Sequence, residues 1–98
     1  MVSSMESIIQ DVLSGKMAIY CSNNHSSILE IFDELNIDGC RAVVNEIDFC
    51  VKVNERNILP KRLYWANKEY YLKNHYQVID ATDFILVYNA SKVLKEIE

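Results

Sequence analysis

The spacing of apolar residues changes period several times along this chain, and each change predicts an element. Ile8, Ile9, Val12 and Leu13 recur at helical spacing, which predicts a short helix over residues 5–13 with Ser4 as N-cap and Glu6 in its first turn. Gly15 stands where a helix end wants a left-handed residue. Residues 16–22 then read as a strand, with Met17, Ile19 and Cys21 on one face and Ala18 and Tyr20 on the other. Apolar on both faces, this strand belongs in the middle of a sheet. Ser27 and Glu30 have the Ser-x-x-Glu spacing of a capping box for a helix over residues 27–36, whose core stripe is Ile28, Ile31, Phe32 and Leu35. Gly39 is expected to end it.

From Cys40 onward the period becomes two. Residues 41–44 suggest one strand, Asn45-Glu46 a turn, and Ile47, Phe49, Val51 and Val53 alternate against Asp48, Cys50 and Lys52, so a hairpin is expected. After a loop containing Pro60, residues 62–66 predict a strand in which Leu63 and Trp65 point one way and Tyr64 the other. Asn67 can cap a helix over residues 68–74, with Tyr71 and Leu72 toward the core and Asn74 at its end. Residues 75–80 predict another strand. Thr82 or Asp83 can then cap a last helix carrying Phe84, Val87, Ala90 or Ser91, and Leu94, although the β-formers from Phe84 to Tyr88 also allow a strand there. The expected fold is therefore α+β: a sheet of four or five mostly antiparallel strands, with two to four helices packed mainly on one face.

Composition narrows the class. Ninety-eight residues, half of them apolar, make one domain over 1–98. The start lacks the basic head and long apolar run of a signal peptide, and no apolar run reaches the length of a membrane span, so the cytoplasm is the expected location and no membrane association is expected. Cys21, Cys40 and Cys50 are odd in number and share no C-x-x-C spacing, which argues against a disulfide framework or a zinc knuckle.

Candidate chemistry is sparse. Cys21 and His25 flank a strand-to-helix turn, where a helix N-terminus and an imidazole can activate a thiolate; the competing reading of Cys21 is a small buried hydrophobe. Ser14-Gly15-Lys16 has the Gly-Lys pair of a phosphate loop but precedes a strand, and lacks the first glycine. Two histidines without metal-ligand spacing give no metal site. No catalytic residue, metal or cofactor is assigned.

Charge is more informative. Between residues 27 and 48 the acids Glu30, Asp33, Glu34, Asp38, Glu46 and Asp48 face one base, Arg41, a local charge of −5. Between 56 and 73 the bases Arg56, Lys61, Arg62, Lys68 and Lys73 face one acid, Glu69, a local charge of +4. Tyr64, Trp65, Tyr70, Tyr71 and Tyr76 crowd the basic stretch. Aromatics interleaved with bases can stack nucleobases, but a net charge of −4 opposes general nucleic-acid binding. Exposed Tyr, Trp and Arg are also the residues that dominate protein interfaces. The expected contact residues are Lys61, Arg62, Tyr64, Trp65, Lys68 and Tyr70. The acidic surface of Glu30, Asp33, Glu34 and Asp38 is the alternative.

Gly15-Lys16-Met17-Ala18-Ile19-Tyr20-Cys21, Cys50-Val51-Lys52-Val53, Glu69-Tyr70-Tyr71 and Tyr76-Gln77-Val78-Ile79-Asp80 together resemble a pattern of small proteins encoded by phages and prophages of low-GC Gram-positive bacteria. The chain departs from that pattern at His75, where glycine is expected before the tyrosine. The resemblance implies a non-enzymatic phage protein that docks on a host protein and inhibits it, with an anti-phage defence nuclease such as a CRISPR effector as the kind of target; self-association into a homodimer stays open. The alternative is a module that sequesters a nucleotide between Trp65 and neighbouring tyrosines, with phosphates on Lys61, Arg62 or Lys68. A thiol enzyme built on Cys21 is a third reading.

Overall fold

The computed structural model describes residues 4–21, 25–37, 49–54 and 61–97. In chain order the elements are α1 (Ser4–Leu13), β1 (Met17–Tyr20), α2 (His25–Glu34), β2 (Phe49–Val53), β3 (Leu63–Asn67), α3 (Lys68–Lys73), β4 (Gln77–Asp80) and α4 (Ala81–Ile97). The four strands form one sheet in the order β3-β2-β1-β4. β1 pairs antiparallel with β2 and parallel with β4, and β2 pairs antiparallel with β3. The sheet is mixed, so the α+β class holds with one parallel pairing among the three. β1 is central, as its two apolar faces require, and Ala18 and Ile19 are fully buried.

Strand alternation divides the side chains between two layers. Ile19, Val51, Val53 and Leu63 point to one side, where α1, α2 and α4 supply Val12, Ile28, Ile31, Phe32, Phe84 and Tyr88 to the main core. Phe84 stacks between Phe32 and Tyr88, each centroid 6.2 Å away. Ala18 and Cys50 point to the other side, where Tyr71 of α3 completes a smaller cluster. Three helices thus cover one face and one short helix the other.

α1, α2 and α3 end in the same way. A left-handed residue follows a helix's last turn, and two backbone hydrogen bonds reach back to orphan carbonyls: Lys16 N–H to Asp11 and Gly15 N–H to Val12, Ile37 to Phe32 and Asn36 to Asp33, Tyr76 to Tyr71 and His75 to Leu72. The left-handed residues are Gly15 (φ 81°), Asn36 (φ 60°) and His75 (φ 65°). Gly15 is required twice over, since a Cβ there would lie 2.6 Å from the Val53 carbonyl oxygen.

Several expectations are corrected. α2 ends at Glu34 with Asn36 as its stop, three residues before Gly39, which lies outside the described residues. α2 also starts at His25, so Ser27 is inside it and is no cap. Ser and Glu three apart are same-face neighbours on any helix, and here both are simply exposed. α4 is one helix through Phe84 to Tyr88, not a strand, and starts at Ala81; Asp80, not Thr82 or Asp83, serves its N-terminus by accepting the Thr82 N–H at 2.9 Å. Leu72 is 53% exposed instead of core-facing, because a single-row contact of a six-residue helix is filled by Tyr71. The strand expected at 41–44 and the turn at 45–46 lie outside the described residues, while β2, the other arm of that hairpin, is flanked by β1 and β3.

Candidate functional site

β3 passes into α3 without a loop. Asn67 ends the strand and caps the helix, its Oδ1 accepting the Tyr70 N–H at 2.9 Å. Asn74 closes the helix through backbone and side-chain bonds to the Tyr70 carbonyl. These caps matter because six residues are far too few to hold a helix by propensity. The connection carries α3 from β3 at one edge of the sheet to β4 at the other, and so lays Tyr71 across the middle of the second face.

Tyr71 organises that face. Its ring is buried, its hydroxyl donates to the Tyr64 carbonyl at 3.1 Å, and Tyr70 and Tyr76 meet it edge-on at 5.4 and 5.6 Å. Burial raises the Tyr71 phenol far above its ordinary pKa of 10.0, with Cys50 and the neighbouring tyrosines adding to the shift. Around this centre the Lys52 ammonium sits 4.9 Å from the Tyr76 centroid and Lys68 sits 4.6 Å from the Tyr20 centroid. Both distances are within cation–π range. Lys52 Nζ also donates to the Val53 and Gly15 carbonyls at 3.4 and 3.5 Å, where the C-terminal end of α1 carries partial negative charge. Five of the six tyrosines in the chain are on this side of the sheet, and Tyr88 alone belongs to the main core.

The surface here is grooved, not enclosed. An open groove of about 660 Å³ runs along β4 and is lined by Tyr20, Lys68, Leu72, Tyr76 and Val78 together with the acids Asp80 and Asp83. A second hollow of about 420 Å³ lies on the far side of α3, between Lys52, Tyr64, Tyr70 and Tyr76. Tyr64, Tyr70 and Leu72 stand about half exposed beside them.

The six residues expected to make one contact surface are separated by the fold. Tyr64, Lys68 and Tyr70 are together on the α3 side. Trp65 points to the opposite side and packs against the main core. Lys61 and Arg62 precede β3, so about 17 Å of strand lies between them and Lys68. Arg62 is held there through its backbone, which donates to Asn54 Oδ1 at 3.2 Å and accepts the Asn54 N–H at 3.0 Å. Tyr20 and Lys52 join the site although the sequence stretch did not include them. Their signal was the strand alternation that puts Tyr20 and Lys52 opposite Ile19 and Val51, read together with the pairing register.

Of the acidic alternative, Glu30, Asp33 and Glu34 are exposed on α2 and Asp38 lies outside the described residues. Glu34 is engaged by α4: Lys92 Nζ donates to it at 2.9 Å and the Tyr88 hydroxyl at 3.3 Å. The lysine holds the Glu34 carboxyl below its ordinary pKa, and the carboxylate raises that of Lys92. This acid serves to join two helices.

Cys21 is fully buried in the main core, and burial, helped by Cys50, pushes its thiol up to about 12. At neutral pH it is a protonated, inaccessible thiol, the opposite of an activated nucleophile. No cluster of three or more His, Cys, Asp or Glu that could hold a metal ion occurs among the described residues, and no helix among them is long and apolar enough to cross a membrane. The chain is thus a mixed-sheet α+β domain with an aromatic surface of mixed charge on its thinly covered side. No protein-family model, no curated protein and no solved structure matches it.

Proposed function

We propose that this chain acts by binding, without turnover, and that the tyrosine-rich side of the sheet docks on another protein. The observation that carries the reading is the gathering of Tyr20, Tyr64, Tyr70, Tyr71 and Tyr76 with Lys52 and Lys68 around one short helix. Tyrosine presents a large, stiff, amphipathic surface at low entropic cost and is enriched among interface residues that dominate affinity. Lys52 and Lys68, each over a tyrosine ring, offer cationic contacts on this side, beside the acids Glu69, Asp80 and Asp83, so the surface suits a partner of mixed polarity. The resemblance to small phage-encoded proteins supplies the rest: the partner is a protein of the bacterial host, of the defence-nuclease kind, and docking blocks it.

The test is affinity capture from host lysate with the native chain and with a Tyr64→Ala, Lys68→Glu, Tyr70→Ala variant, proteins and nucleotides being analysed in each eluate. The expected result is one protein retained by the native chain and lost by the variant at unchanged fold. Equal capture by both chains refutes the reading. A small ultraviolet-absorbing ligand eluted from the native chain alone would instead establish sequestration, with Tyr20, Lys68 and Tyr76 of the β4 groove as its site in place of Trp65. Arg62→Glu, at the remote end of β3, is expected to slow association without changing dissociation.

A further inference from the structure

β4 stands last in the sheet order β3-β2-β1-β4, so β1 takes up one of its edges and the other is open among the described residues. Its register with β1 runs unbroken from Met17 opposite Gln77 to Tyr20 opposite Asp80, and Gln77-Val78-Ile79-Asp80 contains neither the proline nor the lysine that commonly blunts an edge. Along a strand the N–H and C=O pairs of successive residues point to opposite edges, so every second residue of β4 aims its pair outward. The groove of about 660 Å³ follows that edge. All of β4 from Gln77 to Asp80 lines it, although these side chains alternate between the two faces of the sheet. Tyr20, Tyr76 and Val78 belong to the tyrosine-rich side, Met17 and Ile79 to the main-core side. α3 adds Lys68 and Leu72 to one wall, while α1 and α4 add Ile8 and Asp83 to the other. A hollow that reaches both faces of a sheet at its last strand is a channel along that strand's edge. We infer that this edge binds an extended segment of a partner protein, which joins the sheet as a further strand beside β4. The inference rests on the reading that the chain acts on another protein.

Backbone chemistry selects this occupant, since the complement of N–H and C=O groups presented at alternate residues is another extended backbone. An added strand sends its own side chains alternately to Tyr20, Leu72 and Tyr76 on one wall and to Ile8, Met17 and Ile79 on the other. Both walls therefore favour apolar residues. Charge acts at the end of the groove. Asp80, which accepts the Thr82 N–H, and Asp83 stand at the C-terminal end of β4, and Glu69 lines the adjoining hollow; Lys68 is the one base in these linings and lies over the Tyr20 ring. This excess of acid suits a lysine or arginine on the segment and opposes the phosphates of a nucleotide. Size agrees: the groove is in the range that encloses a short ligand, and β4 spans about 13 Å, which fits a few extended residues and not the face of a folded domain.

The test selects a displayed library of random heptapeptides on the immobilised native chain and synthesises the enriched peptide, which is expected to be largely apolar with a lysine or arginine. Methylating its backbone amides one at a time should weaken binding at least about tenfold at every second position and little in between, the mark of a strand bonded along one edge. In the chain, alternate amides of β4 should exchange with solvent at least about tenfold more slowly once the peptide is bound. Leu72→Glu, at an exposed position, should lose the peptide at unchanged circular dichroism, and Asp83→Lys should change the selected preference from base to acid. No enriched peptide, methylation effects without the period of two, unaltered β4 amides, or displacement of the peptide by ADP at equal concentration overturns the proposal. These readouts need no host protein, so their failure leaves the tyrosine-rich docking surface standing, whereas equal capture of host protein by the triple variant refutes that surface whatever the peptide does.

Discussion

The two sides of the sheet use the same strands but are finished differently. On one, α1, α2 and α4 close over Ile19, Val51, Val53 and Leu63, and the packing is made of aliphatic and phenylalanine side chains. On the other, α3 buries Ala18 and Cys50 under Tyr71, and the half-buried periphery is Tyr20, Ala66, Tyr76 and Val78, with Lys52 and Lys68 over the rings of Tyr76 and Tyr20. A helix of 10 or 17 residues offers several turns of apolar side chains, whereas six residues offer one inward row. Coverage, more than the alternation of the strands, determines which side is core and which is left as surface.

The sharpest test of this contrast pairs one substitution from each side. Phe84→Ala should lower stability by about 3–5 kcal/mol, read as a fall in the denaturant midpoint, since it empties the stack between Phe32 and Tyr88. Tyr64→Ala on the thin side should cost about 0.5 kcal/mol or less in stability and about 2 kcal/mol in partner affinity. If the two variants lose similar stability, the thin side is a second core and the contrast fails.

Alkaline titration reads both sides in one experiment. Buried in the main core, Cys21 has its native pKa up at about 12 against an ordinary 9.0, so the unfolded chain releases this proton first. Stability from this group is complete below pH 9 and should fall by about 1.4 kcal/mol per pH unit between 9 and 12. Tyr71, raised above 10.0 on the other side, should steepen the decline beyond pH 10. Urea unfolding as a function of pH gives the slopes. Cys21→Ala should flatten the first limb and leave the second, and an unaltered profile in that variant would contradict the assignment.

The helix ends supply smaller effects of opposite sign. Gly15→Ala, behind α1, should cost about 2–3 kcal/mol, because the residue is left-handed and its Cβ would press on the Val53 carbonyl. Tyr71→Phe should cost about 1 kcal/mol through loss of the bond to the Tyr64 carbonyl. His75→Gly, behind α3, should raise stability by about 0.5–1 kcal/mol, since the exposed histidine adopts a φ that glycine takes without strain. Thermal melts of the three variants would rank them, and a destabilised His75→Gly would mean that the imidazole makes a contribution beyond its backbone.

Local signals were enough for much of the fold. Apolar spacing placed α1, β1, the Ile28–Ile31–Phe32 stripe of α2, β3 and the Asn67 cap of α3, because periodicity and capping depend only on residues a few positions apart. Ends were misplaced where two neighbouring residues offered the same chemistry: Asn36 stops α2 in place of Gly39, and Asp80 serves α4 in place of Thr82 or Asp83. The candidate site was half legible. Tyr64, Lys68 and Tyr70 were found because they are close in sequence, and Trp65, equally close, turned to the other side because adjacent strand residues point oppositely.

By itself, then, the sequence determined the α+β class, the periods of its elements, the concentration of tyrosine and basic residues after residue 60, and the left-handed stop at Gly15. Tertiary structure alone decided that β1 lies beside β4 in parallel, that α3 crosses from one sheet edge to the other, and that Tyr20 and Lys52 thereby meet Lys68 and Tyr76. Those contacts join residues 24 to 48 positions apart. The pairing register that brings them together depends on the summed burial of the whole sheet, which no short window of sequence contains.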